Sequence, residues 1–293
     1  MTDKRTGGGP DWLRLMPGVF VLLWSTGFIG AKYGLPYAEP LTFLLVRLGL
    51  VAVVLALVAL ATRAPWPTSW RSVGRIALAG LLVHGVYLSG VFLAIAHGLP
   101  AGVTALIVGI QPLLTAALSG PLLGERVSGR QWGGLLLGLF GVGLVVREKF
   151  AVDADHLIGM GFAAAALVGI TLGTLYQKRH GAGMDLRSGT AIQYAATALV
   201  LAVAAPLTET MHIQWTGEFV FALLWLSFVL SVGAIFLLFA LIRRGAAARV
   251  ASLFYLTPPV TALVAWAMFD ERLGAVALAG MVVAVMGVAL VNR

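Results

Sequence analysis

The feature that most constrains this chain is a succession of long apolar runs separated by short polar ones. About 18–23 apolar residues are needed to cross the hydrocarbon of a bilayer as a helix. Ten such runs are expected, at roughly 15–33, 40–62, 73–96, 100–121, 128–147, 157–178, 187–208, 217–241, 246–269 and 273–291. Composition agrees. The chain is 60% hydrophobic and 11% charged, whereas a soluble domain is about 25% charged. So much apolar surface has no place in water, and a lipid bilayer is the solvent and partner it fits. Barrel strands would be shorter and would alternate polar with apolar, which these runs do not. The expected class is an all-α integral membrane protein with no inserted soluble domain.

The surplus of basic residues, 20 Lys+Arg against 12 Asp+Glu, does not point to nucleic acid. The basic residues fall in short clusters between apolar runs rather than along one face. Clusters of that kind set the orientation of a membrane protein. The N-terminal segment "MTDKRTGGGPDWLRLMPG" reads as a flexible cytoplasmic tail over residues 1–14. Val19 to Ala31 is apolar enough for a signal-peptide core. No small-residue cleavage site follows it, so it is expected to be the first span. With that tail inside, 15 of the 20 basic residues lie on inner segments and 4 on outer ones, with Arg47 inside a span. Both termini are therefore expected in the cytoplasm.

Two short polar stretches interrupt the apolar pattern at matching places. "LLGERVSG" (Leu122 to Gly129) and "MFDERLGA" (Met268 to Ala275) place Glu125-Arg126 and Glu271-Arg272 at a separation of 146 residues. Sliding 111–146 onto 257–292 gives ten identities, among them Pro112/Pro258, Thr115/Thr261, Gly134/Gly280 and Gly141/Gly287. The same offset carries Gly27 to Gly173 and Lys32 to Lys178. Coincident polar and proline positions mark an internal duplication. The expected units are 15–147 and 148–293. Five spans per unit, an odd number, make the second enter from the opposite side, as an inverted five-helix repeat. That arrangement belongs to secondary transporters with a substrate site near the midplane between the repeats. Channels and purely structural bundles can also be built this way. The two Glu-Arg pairs are expected to mark tight turns between helices, at opposite faces of the membrane.

The segments "WSTGFIGAKYG" (Trp24 to Gly34), "IQPLLTAALSGPLLGERVSGRQWGGLLLGLFGVGLV" and "LTPPVTALVAWAMFDERLGAVALAGMVVAVMGVALV" resemble the EamA-type members of the drug/metabolite transporter superfamily, and among them the amino-acid exporters of the YddG type. The resemblance covers essentially the whole chain. It implies ten helices and export of amino acids, other metabolites or drugs by alternating access, from a bacterial inner membrane.

The polar residues at membrane depth are few. All twelve carboxylates fall in expected loops or span ends, which argues against a carboxylate proton relay and against a site for cations. A neutral or zwitterionic solute fits better, with His84 leaving proton coupling open. Sugar phosphates would call for several buried cations, and only Arg47 lies within a span. Arg47 either contacts a substrate carboxylate or, as is commoner, snorkels to the interface or bonds helix-end carbonyls. Trp24, Ser25, His84, Tyr87, Gln111, Thr171, Tyr176, Gln193 and Tyr255 complete the candidate substrate cavity. Aromatic walls with a few hydrogen-bonding groups suit an amphipathic small molecule. The competing reading for each is a bond between helices. Pro112 and Pro258 sit mid-span in matching runs and are candidate kinks or hinges. Gly129-xxx-Gly133 and Gly134-xxx-Gly138 permit close helix packing, within the monomer expected here or across a homodimer. There is no cysteine, no cluster that would bind a metal or cofactor, and no catalytic constellation. The expectation is an exporter of small amphipathic metabolites, foremost neutral and aromatic amino acids. A multidrug exporter, a channel-like facilitator and a non-transporting scaffold are the alternatives.

Overall fold

The computed structural model describes residues 12–99, 101–146, 157–260, 263–264 and 274–292. Glu271 and Arg272 lie outside the described residues. What is described is almost entirely helical, with no β-strand beyond one isolated bridge between Ala38 and Ile213. The elements are α1 (Trp12–Gly34), α2 (Pro40–Ala61), α3 (Trp70–Gly80), α4 (Tyr87–Ala96), α5 (Ala101–Val108), α6 (Gln111–Leu123), α7 (Gly129–Val146), α8 (Leu157–His180), α9 (Leu186–Thr208), α10 (Gly217–Leu224), α11 (Ile235–Arg244), α12 (Ala247–Ser252) and α13 (Ala275–Asn292). Seven continuous helical stretches among the described residues are long and apolar enough to cross a membrane: 40–61, 70–96, 103–123, 157–180, 186–208, 217–244 and 275–292. A shorter apolar stretch runs from Leu15 to Gly27.

Three local devices shape these helices. The first is a pair of π-helical segments, Leu81–Val86 between α3 and α4 and Trp225–Ala234 between α10 and α11. Shifting the first by 146 residues lands inside the second, so both repeats widen the same turn. Such turns are rare in helices and concentrate at functional sites. The second is a break before each conserved-offset proline. Pro112 occupies the first turn of α6, directly after an interruption at Gly109–Ile110. Pro258 follows a 3-10 segment, Leu253–Leu256. Proline tolerates a first helical turn because its missing N–H has no partner there. The sequence places these prolines mid-span; the structure puts the break just upstream of each.

The third device is close approach of α7 and α13, which run antiparallel. A Cβ on Gly134 would lie 2.8 Å from the Gly287 carbonyl oxygen, and one on Gly280 would lie 2.7 Å from that of Gly141. Only glycine permits backbones this near. The glycines are thus used within one chain, and Gly129 and Gly133 meet nothing within 4 Å.

Packing is reciprocal between the two halves. α2 packs along α9, its counterpart at the same offset, and α7 along α13. α1 packs on the second π segment, while α8 packs on the first. Gly27 faces Leu230 and its counterpart Gly173 faces Val83. Two ends result. At one, Glu209 accepts hydrogen bonds from the N–H groups of Leu41 and Thr42, both 2.7 Å, and Glu39 accepts one from the N–H of Thr210, also 2.7 Å. At the other lie the α6–α7, α8–α9 and α11–α12 turns.

Candidate functional site

Where the two π segments face each other, a cavity of about 50 Å³ opens between the repeats. α1 contributes Trp24, α2 Arg47, the first π segment His84, α4 Tyr87, α9 Tyr194 and the second π segment Ser231. The walls are otherwise apolar, from Val83, Val91, Phe92, Leu230 and Ile235. Trp24 and Tyr87 stack with centroids 6.2 Å apart and planes 13° apart. Phe254 meets the Trp24 ring edge-on at 5.1 Å, which fixes the indole from behind.

The polar floor is built by the second π segment. Ser231 donates its hydroxyl to the Leu226 carbonyl, five residues back, at 3.1 Å. The same hydroxyl accepts the Nε–H of Arg47 at 3.1 Å. The Ser231 carbonyl accepts the hydroxyl of Tyr194 at 2.6 Å. Tyr194 in turn packs against the His84 ring, centroid to centroid 4.3 Å. His84 Nε2 is buried with no hydrogen-bond partner.

Arg47 corrects one expectation. Its side chain neither snorkels nor reaches helix-end carbonyls: the residue is 3% exposed, bonds Ser231 and lines the cavity. Among the described residues no Asp or Glu forms an ion pair with it. A buried guanidinium without a counter-ion is costly unless something else supplies the negative charge.

Of the expected site residues, Trp24, Arg47, His84 and Tyr87 converge here. The others do not line this cavity. Ser25 turns its hydroxyl to the carbonyls of Val21 (2.7 Å) and Thr257 (3.3 Å). Thr171 back-bonds to Leu167 at 2.7 Å within α8. Tyr176 packs its ring, tilted by 34°, against His180 near the end of α8. Gln193 donates to Gln177 at 2.8 Å. Tyr255 is fully buried with its hydroxyl unpartnered, its ring against Gly138. Gln111 lines a separate void of about 10 Å³ with Thr115, Thr174 and Lys178. Tyr194 and Ser231 are the site residues that sequence reasoning missed. Tyr194 is adjacent to the chosen Gln193, and only the packed face tells which of the two looks inward. Ser231 is one hydroxyl in an apolar run with no motif around it.

Glu125 lies just past Gly124, whose left-handed φ of 71° ends α6, in the turn before α7. Its carboxylate reaches beyond that turn. It pairs with Lys178 at the end of α8 and accepts the N–H of Ala247, at the start of α12, at 2.8 Å. Lys178 also donates to the Gly245 carbonyl. The first repeat is thereby tied to the second at this end, between the cavity and the surface. At the opposite end a wider cleft of about 520 Å³ is lined by Tyr37, Glu39, Ile95, Thr210 and His212 among others.

Known proteins are similar to this chain along its length. The chain is 30% identical to the uncharacterized transporter YvbV of Bacillus subtilis (strain 168), over 95% of this chain and 90% of that protein. It is 26% identical to a probable amino-acid metabolite efflux pump of Escherichia coli (strain K12), over 91% and 90%. It is also 26% identical to a probable terminal-alkyne amino-acid exporter of Streptantibioticus cattleyicolor, over 93% and 91%. A solved crystal structure superposes with a TM-score of 0.81 at 21% identity, covering 97% of this chain and 98% of that one, which shows the fold. The profile of the EamA-like transporter family matches twice, at residues 18–147 and 157–293. With two copies of that unit along its length, the chain belongs to the EamA-like transporter family and is a multi-pass membrane transporter, not an enzyme.

Proposed function

We propose that the protein is a secondary transporter that exports small amphipathic metabolites, amino acids foremost, by alternating access to the central cavity. In this reading ten spans form two inverted five-helix repeats, over 15–147 and 148–293, in a bacterial inner membrane with both termini cytoplasmic. The observation that carries it is the cavity itself: one buried cation, a hydrogen-bonding floor and aromatic walls, at the junction of two repeats that each contribute a π segment. Charged groups in membrane-embedded protein mark substrate and ion pathways, and aromatic walls with few polar groups take amphipathic solutes. The printed names of the Escherichia coli and Streptantibioticus cattleyicolor relatives lend support to amino acids as the class. A volume of about 50 Å³ admits little more than a water or two. Substrate binding therefore requires the repeats to separate, which favours a carrier over a channel. Pro112 and Pro258, each at a helix break, are the proposed hinges.

The test is flux through purified protein in vesicles. Labelled methionine or phenylalanine should leave with saturable kinetics and show counterflow when unlabelled substrate is placed on the far side. Flux that never saturates and shows no counterflow would sink the carrier reading in favour of a channel-like facilitator.

A further inference from the structure

The charges around the central cavity do not balance for a zwitterion. Arg47 brings a full positive charge to a buried position, and its Nε–H is satisfied by the Ser231 hydroxyl. No described residue accepts a hydrogen bond from its terminal nitrogens, and the residue lines the cavity. His84, on the same wall, keeps an unpartnered Nε2. Arg47 thus presents donors to the cavity for which no described residue supplies an acceptor.

The opposite charge is missing. None of the described carboxylates, Glu39, Glu125, Asp185, Glu209 and Glu218, lines the cavity. Glu39, Glu125, Asp185 and Glu209 make bonds at helix ends instead, and Glu218 sits in the first turn of α10. The seven remaining acids of the chain fall in expected loops or span ends. The carboxylate of an amino acid would find Arg47, but its ammonium would be held a few ångströms from a guanidinium with no anion to receive it. No charge among the residues lining the cavity offsets that repulsion.

We propose that the cavity selects solutes of a single net negative charge, monocarboxylates with an apolar or aromatic body, over zwitterions built on the same body. The carboxylate neutralises Arg47, and the body lies against Trp24, Tyr87 and Phe92. A dianion would exceed the one available cation, so phosphate esters are disfavoured for the same reason. This inference rests on the carrier reading of the same cavity but departs from it in substrate class, putting amino-free monocarboxylates ahead of amino acids among the small amphipathic metabolites.

The pair 3-phenylpropionate and L-phenylalanine isolates the claim, since the two differ only by the α-ammonium. The full chain is reconstituted in phosphatidylethanolamine–phosphatidylglycerol vesicles, and counterflow of each labelled compound is measured above that of protein-free vesicles. The half-saturating concentration should be at least about tenfold lower for 3-phenylpropionate, the scale of one unneutralised charge in a partly solvated site. Arg47→Gln should bring the ratio of the two close to one, and Arg47→Lys should preserve the preference. If Arg47→Gln fails to assemble, Ser231→Ala carries the test. It keeps the charge but removes the hydroxyl that orients it, so the preference for 3-phenylpropionate over phenylalanine should shrink several-fold.

Phenylalanine binding as tightly as 3-phenylpropionate, or more so, overturns the inference and leaves the exporter reading standing. Saturable counterflow of neither overturns both. An Arg47→Gln or Ser231→Ala variant that weakens both solutes equally shows that Arg47 does not select, and the inference fails.

Discussion

At the residue scale, Arg47 was visible in the sequence as the one basic residue inside an apolar run. Its partner was not. Ser231 lies 184 residues away, and only a folded second repeat brings its hydroxyl to 3.1 Å. The same holds for Tyr194, whose buried hydroxyl bonds the Ser231 carbonyl at 2.6 Å. Tyr194→Phe should therefore lower thermal stability in detergent by about 1 kcal/mol, the net worth of a buried hydrogen bond whose acceptor is left bare. An unchanged melting curve would show that the floor of the cavity does not depend on this bond. Trp24→Ala removes the largest aromatic face of the cavity. It should lower transport of aromatic solutes well below that of aliphatic ones, measured as the ratio of their counterflow rates.

At the element scale, the seven long apolar helices among the described residues followed from run length, while helix irregularities did not. The two π segments have no proline and no sequence mark of their own. What marks them in the structure is that α1 and α8 pack on them from the opposite repeat, with close contacts at Gly27 and Gly173. Helix caps are more local. Asp185 caps α9 by accepting from the N–H groups of Arg187 (2.9 Å) and Ser188 (3.4 Å). Asp185→Ala should cost about 1 kcal/mol of stability, read as a lower melting temperature. The side-chain hydrogen bond from Arg187, reinforced by these backbone bonds, holds the Asp185 carboxyl below its ordinary range. The sign follows: a depressed folded pKa contributes stability that is complete above about pH 4 and disappears as pH falls through the folded value. Around neutral pH the contribution of this group should thus not vary with pH, and the wild-type advantage over Asp185→Asn should shrink only in stronger acid.

The Glu125–Lys178 pair is also an element-scale device, since it ties the α6–α7 turn to the ends of α8 and α12. Glu125→Gln should loosen that end. Because the chain has no cysteine, a single Thr115→Cys replacement reports on it cleanly. A water-soluble maleimide should label Cys at that position faster in the Glu125→Gln background. Equal rates would show that the pair does not restrict access.

At the scale of the whole molecule, duplication is the organising fact. Gly134, Gly141, Gly280 and Gly287 were legible as matching positions of a repeat, and the structure sets them against one another where α7 crosses α13. Gly141→Leu would force a side chain into the backbone of Ala284. It should abolish stable folding rather than merely slow transport, seen as loss of a monodisperse peak in detergent. The sequence by itself determined the class of the protein, the positions of the seven long apolar helices among the described residues, the repeat and the scarcity of charge at membrane depth. Those properties are additive along the chain: hydrophobicity, length and offset can be counted residue by residue. The tertiary structure alone decided which polar residues share a cavity. Trp24, Arg47, His84 and Tyr87 converge there, with Tyr194 and Ser231 completing them, while Gln111, Thr171, Tyr176 and Tyr255 are held elsewhere. The reason is that a helix distributes side chains around its full circumference, and only contact with the other repeat selects the face that looks inward.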